Sequence, residues 1–252
     1  MANAPQRVVA VIPARYGSTR FPAKVLAPIC GKPMVQWVYE RTARSERVDE
    51  TLVATDDERV AACVRGFGGK VALTSPRHQT GTDRIAEALQ GRQADLILNV
   101  QGDEPLIPPA VLDGLVEAMQ ARPEAEMGTV AVPLAPDSAE FRDPNVVKCV
   151  RAASGYALYF TRAPAPHARD ARPADAAPLR HWGIYAFRRP FFDRFVTLPR
   201  SPLERCESLE QLRALEHGAR IFVLVSREVT VGVDVPADVA KVEALMRARG
   251  IA

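Results

Sequence analysis

The sequence predicts an α/β protein with a mainly parallel sheet flanked by helices, and three observations predict it. Continuous apolar runs recur at 8–12 (VVAVI), 51–55 (TLVAT) and 96–100 (LILNV), the pattern of strands buried on both faces. Helical stretches alternate with these runs through the first half, as in a doubly wound sheet. Each run stops abruptly in polar or charged residues, and in open α/β sheets the carboxyl ends of strands open into the ligand crevice.

The 252 residues suffice for one large domain, and no linker divides them, so a single domain over 1–252 is expected. A formal charge of +3 gives no general attraction to nucleic acid or membranes, so any phosphate binding must come from a local cluster. Cys30, Cys63, Cys149 and Cys206 are widely separated, without zinc or redox spacing, and are expected as buried free thiols in a reducing compartment. Neither a signal peptide nor a run of transmembrane length is present, which predicts a cytosolic protein.

The first strand, 8–12, leads into a loop, 13–24 (PARYGSTRFPAK), that holds Arg15, Arg20 and Lys24 with Gly17 and two hydroxyls. This is where α/β proteins hold phosphates, although a solvated basic loop has the same composition. The pattern is neither a Walker loop nor the dinucleotide fingerprint. Pro33 starts a helix whose inward stripe is Met34, Trp37 and Val38. After the second strand, Asp56-Asp57 can cap the helix at 58–67, which Gly68-Gly69 closes before a short strand at 70–73. The polar loop 78–84 (HQTGTDR) opens a helix at 85–90; its hydroxyls and amides can hold a base or ribose, or simply cap, through Thr82 or Asp83.

The central strand ends at Gln101-Gly102-Asp103-Glu104-Pro105. Carboxylates beside a buried strand are costly unless they pair or coordinate, which favours a site over a solvated turn. Hard oxygen ligands at a crevice suit magnesium, and magnesium suggests a phosphate substrate. A helix at 109–119 follows.

The second half changes texture. A strand at 128–132 precedes a hairpin, 146–151 and 156–160, turned at Ser154-Gly155, and a strand resumes at 180–187. Residues from about 143 to 187 therefore form an antiparallel excursion, suited to a dimer surface or a lid. Its segment 163–178 lacks periodicity and reads as a mobile surface loop. Ser201, Pro202 and Glu204 start a helix that Gly218 stops. Within it Glu210 shares a stripe with Leu203, Cys206 and Ala214, so it either pairs, snorkels or meets a ligand. A buried strand at 221–225 follows, and Asp234 precedes the last helix, 236–249, as its cap or as a second metal carboxylate.

The words IPARYGSTRFPAKVL, GKPM, VATDDERV, HQTGTDRIAEAL, NVQGDEPLIPP, GYALYFTRAPAP, RHWGIYAF, SPLERCESLEQLRAL and GVDVPADV, in this order, resemble the 3-deoxy-manno-octulosonate (Kdo) cytidylyltransferases nearly end to end. CMP-sialate synthetases share only the start of the first loop. The resemblance implies a nucleotide-diphospho-sugar transferase type of fold with an antiparallel dimerisation arm. It implies transfer of CMP from CTP to the anomeric 2-hydroxyl of Kdo, for lipopolysaccharide biosynthesis, by a magnesium-dependent cytoplasmic homodimer. By motif, Arg15, Ser18 and Lys24 match the triphosphate loop, with Thr82 and Arg84 as further CTP contacts. Asp103 and Asp234 match the magnesium carboxylates and, with Lys24, the catalytic set. Gln101, Arg162, His181, Tyr185, Glu210 and Gln211 match the Kdo pocket, where an arginine can grip a carboxylate through two parallel hydrogen bonds. Trp182 departs from the smaller apolar residue frequent at its place.

Overall fold

The structure, a computed structural model, describes residues 6–18, 21–173, 176–228 and 230–251. Arg20, counted above among the loop cations, lies outside them, as do 174 and 175 of the loop 163–178. The chain packs as two compact units, one of residues 1–113 with 229–252 and one of residues 114–228.

The first unit opens with β1 (Val8–Pro13), a 3-10 turn at Lys24–Leu26, and a small hairpin of β2 (Pro28–Ile29) and β3 (Lys32–Pro33). Then come α1 (Met34–Thr42), β4 (Glu50–Thr55), α2 (Glu58–Gly66), β5 (Val71–Leu73), α3 (Gly81–Ala88), β6 (Leu96–Asn99) and α4 (Pro109–Gln120), inside which the division between units falls. The strands lie in the order β6-β1-β4-β5 and all pair in parallel, with Ala10 facing Thr51 on one side and Leu98 on the other. Residues 8–12 are at most 2% exposed, as a run buried on both faces requires. The C-terminal helix Pro236–Ala248 returns to this unit. Its Val242 and Met246 pack with Ile29, Met34, Trp37, Leu106 and Val233. Each such buried side chain contributes roughly 1.5–3 kcal/mol by leaving water. Trp37 is kept whole in that core by donating its Nε1 hydrogen to Ile29 O, 2.7 Å away.

The second unit runs β7 (Met127–Pro133), α5 (Ala139–Arg142), β8 (Lys148–Arg151), β9 (Ala157–Thr161), β10 (Leu179–Arg188), α6 (Arg189–Phe195), α7 (Pro202–Glu207), α8 (Gln211–Glu216) and β11 (Ile221–Val225). Its strand order is β11-β7-β10-β8-β9, antiparallel apart from the β11–β7 pair. The expected excursion at 143–187 is thus present as β8, β9 and β10. The β8–β9 turn needs Gly155: its φ is +92°, and a Cβ there would sit 2.7 Å from the Phe222 ring. Within the loop 163–178, Arg172 donates to Pro166 O and Ala176 O, at 2.9 and 3.2 Å.

Four expectations need correction. The single helix from Ser201 to Gly218 is two helices, broken at Ser208, whose φ of +53° turns the chain. The stripe of Leu203, Cys206, Glu210 and Ala214 therefore does not exist: Leu203 and Cys206 are exposed while Ala214 is buried. The helix after the HQTGTDR loop starts at Gly81 rather than Ile85: Thr80 is its cap, and Asp83 caps in return by accepting from the Thr80 N–H at 3.3 Å, as expected of it, whereas Thr82 lies inside the helix. All four cysteines are free, as expected, but only Cys149 is buried: Cys30 and Cys63 are half-buried and Cys206 is exposed.

Candidate active site

The first unit carries a cleft at the carboxyl ends of β1 and β6, lined by Arg15, Ser18, Lys24, Arg84, Gln101, Asp103 and Asp234, together with the loop 78–81. Its geometry follows from a few backbone constraints. Gly102 lies so near β1 that a Cβ would stand 3.0 Å from Pro13 O, so a larger residue would press the turn after β6 away from β1 by a few tenths of an ångström. Val233 N–H donates to Asp103 O at 2.9 Å, and Thr230 Oγ1 donates to Glu104 Oε2 at 2.9 Å. These two bonds strap the chain before the C-terminal helix onto the acidic turn and bring Asp234 beside Asp103. Lys24 Nζ then stands 2.7 Å from Asp103 Oδ2 and 3.7 Å from Asp234 Oδ1. At the start of the C-terminal helix Asp238 Oδ2 accepts from the Asp234 and Val235 N–H groups, at 3.1 Å each.

Around this centre the loops are fixed by charge. Arg59 lies 3.5 Å over the Tyr16 ring, and its hydrogen bonds pull the Asp57 carboxyl down to about 2. Asp57 also caps α2 through Arg59 N–H, the role expected for one of the two acids. Asp56 has the other role: its Oδ2 accepts from Arg84 Nη2 at 3.0 Å, while Arg84 Nη1 donates to Thr74 Oγ1 at 2.7 Å. Arg84 is 4% exposed, so its charge is neutralised where it enters the cleft wall. Glu87 accepts from Ser75 N–H and from His78 Nε2, which holds the 75–80 segment against α3.

The second unit assembles a different cluster. His181 and Tyr185 lie on one face of β10, opposite Ala131 and Thr129 of β7, despite an irregularity between Trp182 and Tyr185. The His181 ring packs edge-on to Phe160 at 4.9 Å and beside Tyr185 at 5.5 Å. Burial pulls the His181 imidazole down to about 3, so it is neutral at pH 7. Burial, aided by the Glu210 charge, pushes the Tyr185 phenol up, so it is a firm donor, and it donates to Gln211 Oε1 at 3.1 Å. That bond orients the amide and leaves Gln211 Nε2 buried without a partner among the described residues. Buried donors ordinarily find an acceptor, so this one is open to an oxygen from outside the chain. Trp182 is 4% exposed, and its Nε1 is likewise buried without a partner among the described residues. Glu210 opens α8, 3.3 Å from Arg213, and Arg213 forks onto Glu204 at 2.8 and 2.7 Å. Arg162 donates Nε to Glu207 O and Nη1 to Pro144 O, at 2.7 and 2.9 Å. Two of its five N–H donors are thus spent on backbone carbonyls, which anchor the guanidinium and leave three donors over. Lys148, fully buried, shares this duty by donating to Asp143 O and Val146 O.

The structure therefore gathers Arg15, Ser18, Lys24, Arg84, Gln101, Asp103 and Asp234 in the first unit, and His181, Tyr185, Glu210 and Gln211 in the second. Thr82 is 2% exposed inside α3 and does not line the cleft; Thr80 and Gly81 do. Thr80 was findable, since a threonine three residues before an aspartate is a capping signal. Thr129 gave no signal, because a β-branched residue in a buried strand reads as core.

A family model described as Cytidylyltransferase matches residues 9–221. The 3-deoxy-manno-octulosonate cytidylyltransferase of Syntrophotalea carbinolica is 51% identical over 247 residues, covering 95% of this chain and 98% of the relative. The protein of the same name from Myxococcus xanthus is 50% identical over 248 residues, covering 97% and 98%. A solved structure of CMP:2-keto-3-deoxy-manno-octonic acid synthetase complexed with CTP superposes with a TM-score of 0.91 at 43% identity, covering 96% of this chain and 99% of that one.

Proposed function

The chain belongs to the 3-deoxy-manno-octulosonate cytidylyltransferases, and from that premise we propose that it transfers CMP from CTP to the anomeric 2-hydroxyl of Kdo, releasing pyrophosphate. The observation that supports this most directly is Lys24 standing between Asp103 and Asp234 at the carboxyl ends of parallel strands. The sugar oxygen forms a bond to the α-phosphorus as the bond from that phosphorus to the β-phosphate oxygen breaks. Such transfers need positioning and charge neutralisation rather than a protein nucleophile.

Magnesium is part of the proposal. Two carboxylates within one ammonium's reach fit the ion, which commonly takes one or two carboxylates plus substrate phosphates. Asp103 and Asp234 would hold it; when bound, it neutralises phosphate charge and lowers the pKa of a coordinated hydroxyl. Lys24 and Arg15 stabilise the departing pyrophosphate. Ser18 and the amide-rich first loop hold phosphate oxygens, and Arg84 and its loop meet the nucleoside. Gln211 Nε2, Tyr185, His181 and Glu210 take the sugar hydroxyls, while Arg162 supplies the cation for its carboxylate. The product would feed lipopolysaccharide synthesis, and the enzyme would work as a cytoplasmic homodimer. Among the described residues, no helix is long and apolar enough to cross a membrane.

Pyrophosphate release measured with CTP, magnesium and a panel of acidic sugars tests the reading. Kdo should be the best acceptor. Preference for a sialic acid or an 8-amino relative of Kdo would overturn the sugar and leave the cytidylyl transfer standing; release with none of them would remove the activity.

A further inference from the structure

Thr129 is fully buried on β7, and three atoms of β10 converge on its hydroxyl. Oγ1 lies 2.8 Å from Ile184 O, 3.4 Å from Trp182 O and 2.9 Å from His181 Nε2. The carbonyls come together because β10 slips register between Trp182 and Tyr185, leaving 183 and 184 without residues opposite them on β7. A hydroxyl has one hydrogen, and a carbonyl can only accept. At 2.8 Å the hydrogen must lie between Oγ1 and Ile184 O, since otherwise two lone-pair-bearing oxygens would face each other. With its hydrogen spent there, Oγ1 can face the imidazole only as an acceptor. The proton of a neutral ring must then sit on Nε2.

We infer that Thr129 is a positioning residue that fixes His181 as the Nε2–H tautomer, so that Nδ1 stands as a hydrogen-bond acceptor for a hydroxyl of the polyhydroxylated sugar acid. Its sugar clause rests on the placement of His181 in the acceptor site; the tautomer does not, because it follows from the second unit's own geometry. The surroundings agree with it. Phe160 and Tyr185 hold the ring by their faces and edges, and Nδ1 has no hydrogen-bond partner among the described residues. A neutral nitrogen with a fixed lone pair selects a donor, so the site would favour a hydroxyl over a hydrogen or an ether at that position.

Long-range proton–nitrogen NMR of histidine-labelled, full-length, substrate-free enzyme tests the tautomer, with His181→Gln assigning the signal among four histidines. His181 should show a protonated Nε2 and an unprotonated Nδ1 in the wild type and in Thr129→Ser, and a mixed tautomer in Thr129→Val. In steady-state assays Thr129→Val should raise KM for Kdo about tenfold, the loss expected of one misplaced hydrogen bond, with KM for CTP within about twofold and Thr129→Ser restoring both. A wild-type ring protonated on Nδ1, or one averaging between tautomers, overturns the inference, even if Thr129→Val fails to fold. A lost tautomer with unchanged KM for Kdo in Thr129→Val overturns the link to binding. Unchanged KM for Kdo in His181→Gln marks instead the failure of His181 as an acceptor-site residue.

Discussion

The two units of the chain handle charge in opposite ways. In the first, ionised groups gather at strand ends within reach of water: the Asp103 side chain is 35% exposed and that of Asp234 59%, with Lys24 between them. In the second, the main ion pair is sealed, Glu204 and Arg213 being 3% and 5% exposed, and the cluster of His181, Thr129, Tyr185 and Gln211 is built from neutral hydrogen-bonding groups. Open charges can exchange partners cheaply, as phosphate and metal binding demands. Sealed charges cannot, and a neutral lattice instead fixes the shape into which hydroxyls must fit. Substitutions in the first unit should therefore act on turnover, and those in the second on stability as well.

The largest effect belongs to the sealed pair. Burial alone would raise the Glu204 carboxyl, but hydrogen bonds and charge from Arg213 hold it below its ordinary value. Arg213→Met, which keeps the bulk over Phe195, leaves that carboxylate only the exposed Arg200 and the Ser201 N–H and should cost about 3 kcal/mol of stability. Urea unfolding reads it, and a loss under about 1 kcal/mol would make the pair equivalent to a surface bridge and end the contrast.

Asp103→Asn and Asp234→Asn sharpen the other side. Each should lower kcat/KM by roughly a hundredfold or more, the scale of removing one key electrostatic group, while leaving the unfolding midpoint in place. Asparagine at 234 with normal turnover would show that its carboxylate serves only the protein.

The smallest effect is a slope. With His181 down at about 3 when folded and near 6.5 when unfolded, the unfolded chain takes up a proton first as the pH falls. The stability tied to the neutral ring is complete above about pH 6.5 and drains away toward pH 3, by at most about 1.4 kcal/mol per unit. His181→Phe lacks this drain, so the wild type should lose stability faster than the variant between pH 6.5 and 5. Parallel curves would mean that the ring is already solvated in the folded state.

The first unit was the more legible of the two in the sequence, for a physical reason. Its parallel strands are unbroken apolar runs, and Lys24, Asp103 and Asp234 stand out because charge beside such runs needs a cause. The pairing of Arg84 with Asp56 was hidden, since nothing local says that two polar loops will meet. In the second unit the helical period continues through Ser208, and without a glycine there the left-handed residue that breaks the helix leaves no mark. The short helix α6 escaped notice because Arg189–Phe195 offers too few turns for a period to show. Thr129 is the deepest case: its hydroxyl matters only because a register slip in β10 aims two carbonyls at it, and register is a property of the pair of strands.

The strap between Val233 and Asp103 also sets an order of events during synthesis. The ribosome delivers the whole of residues 114–228 before it delivers Val233, Asp234 and the helix that fills the core beside Trp37. A nascent chain can therefore carry a finished second unit while the first still lacks one of its two carboxylates and part of its core. A product stalled before Val233 would leave the apolar surface beside Trp37 uncovered and open to proteolysis.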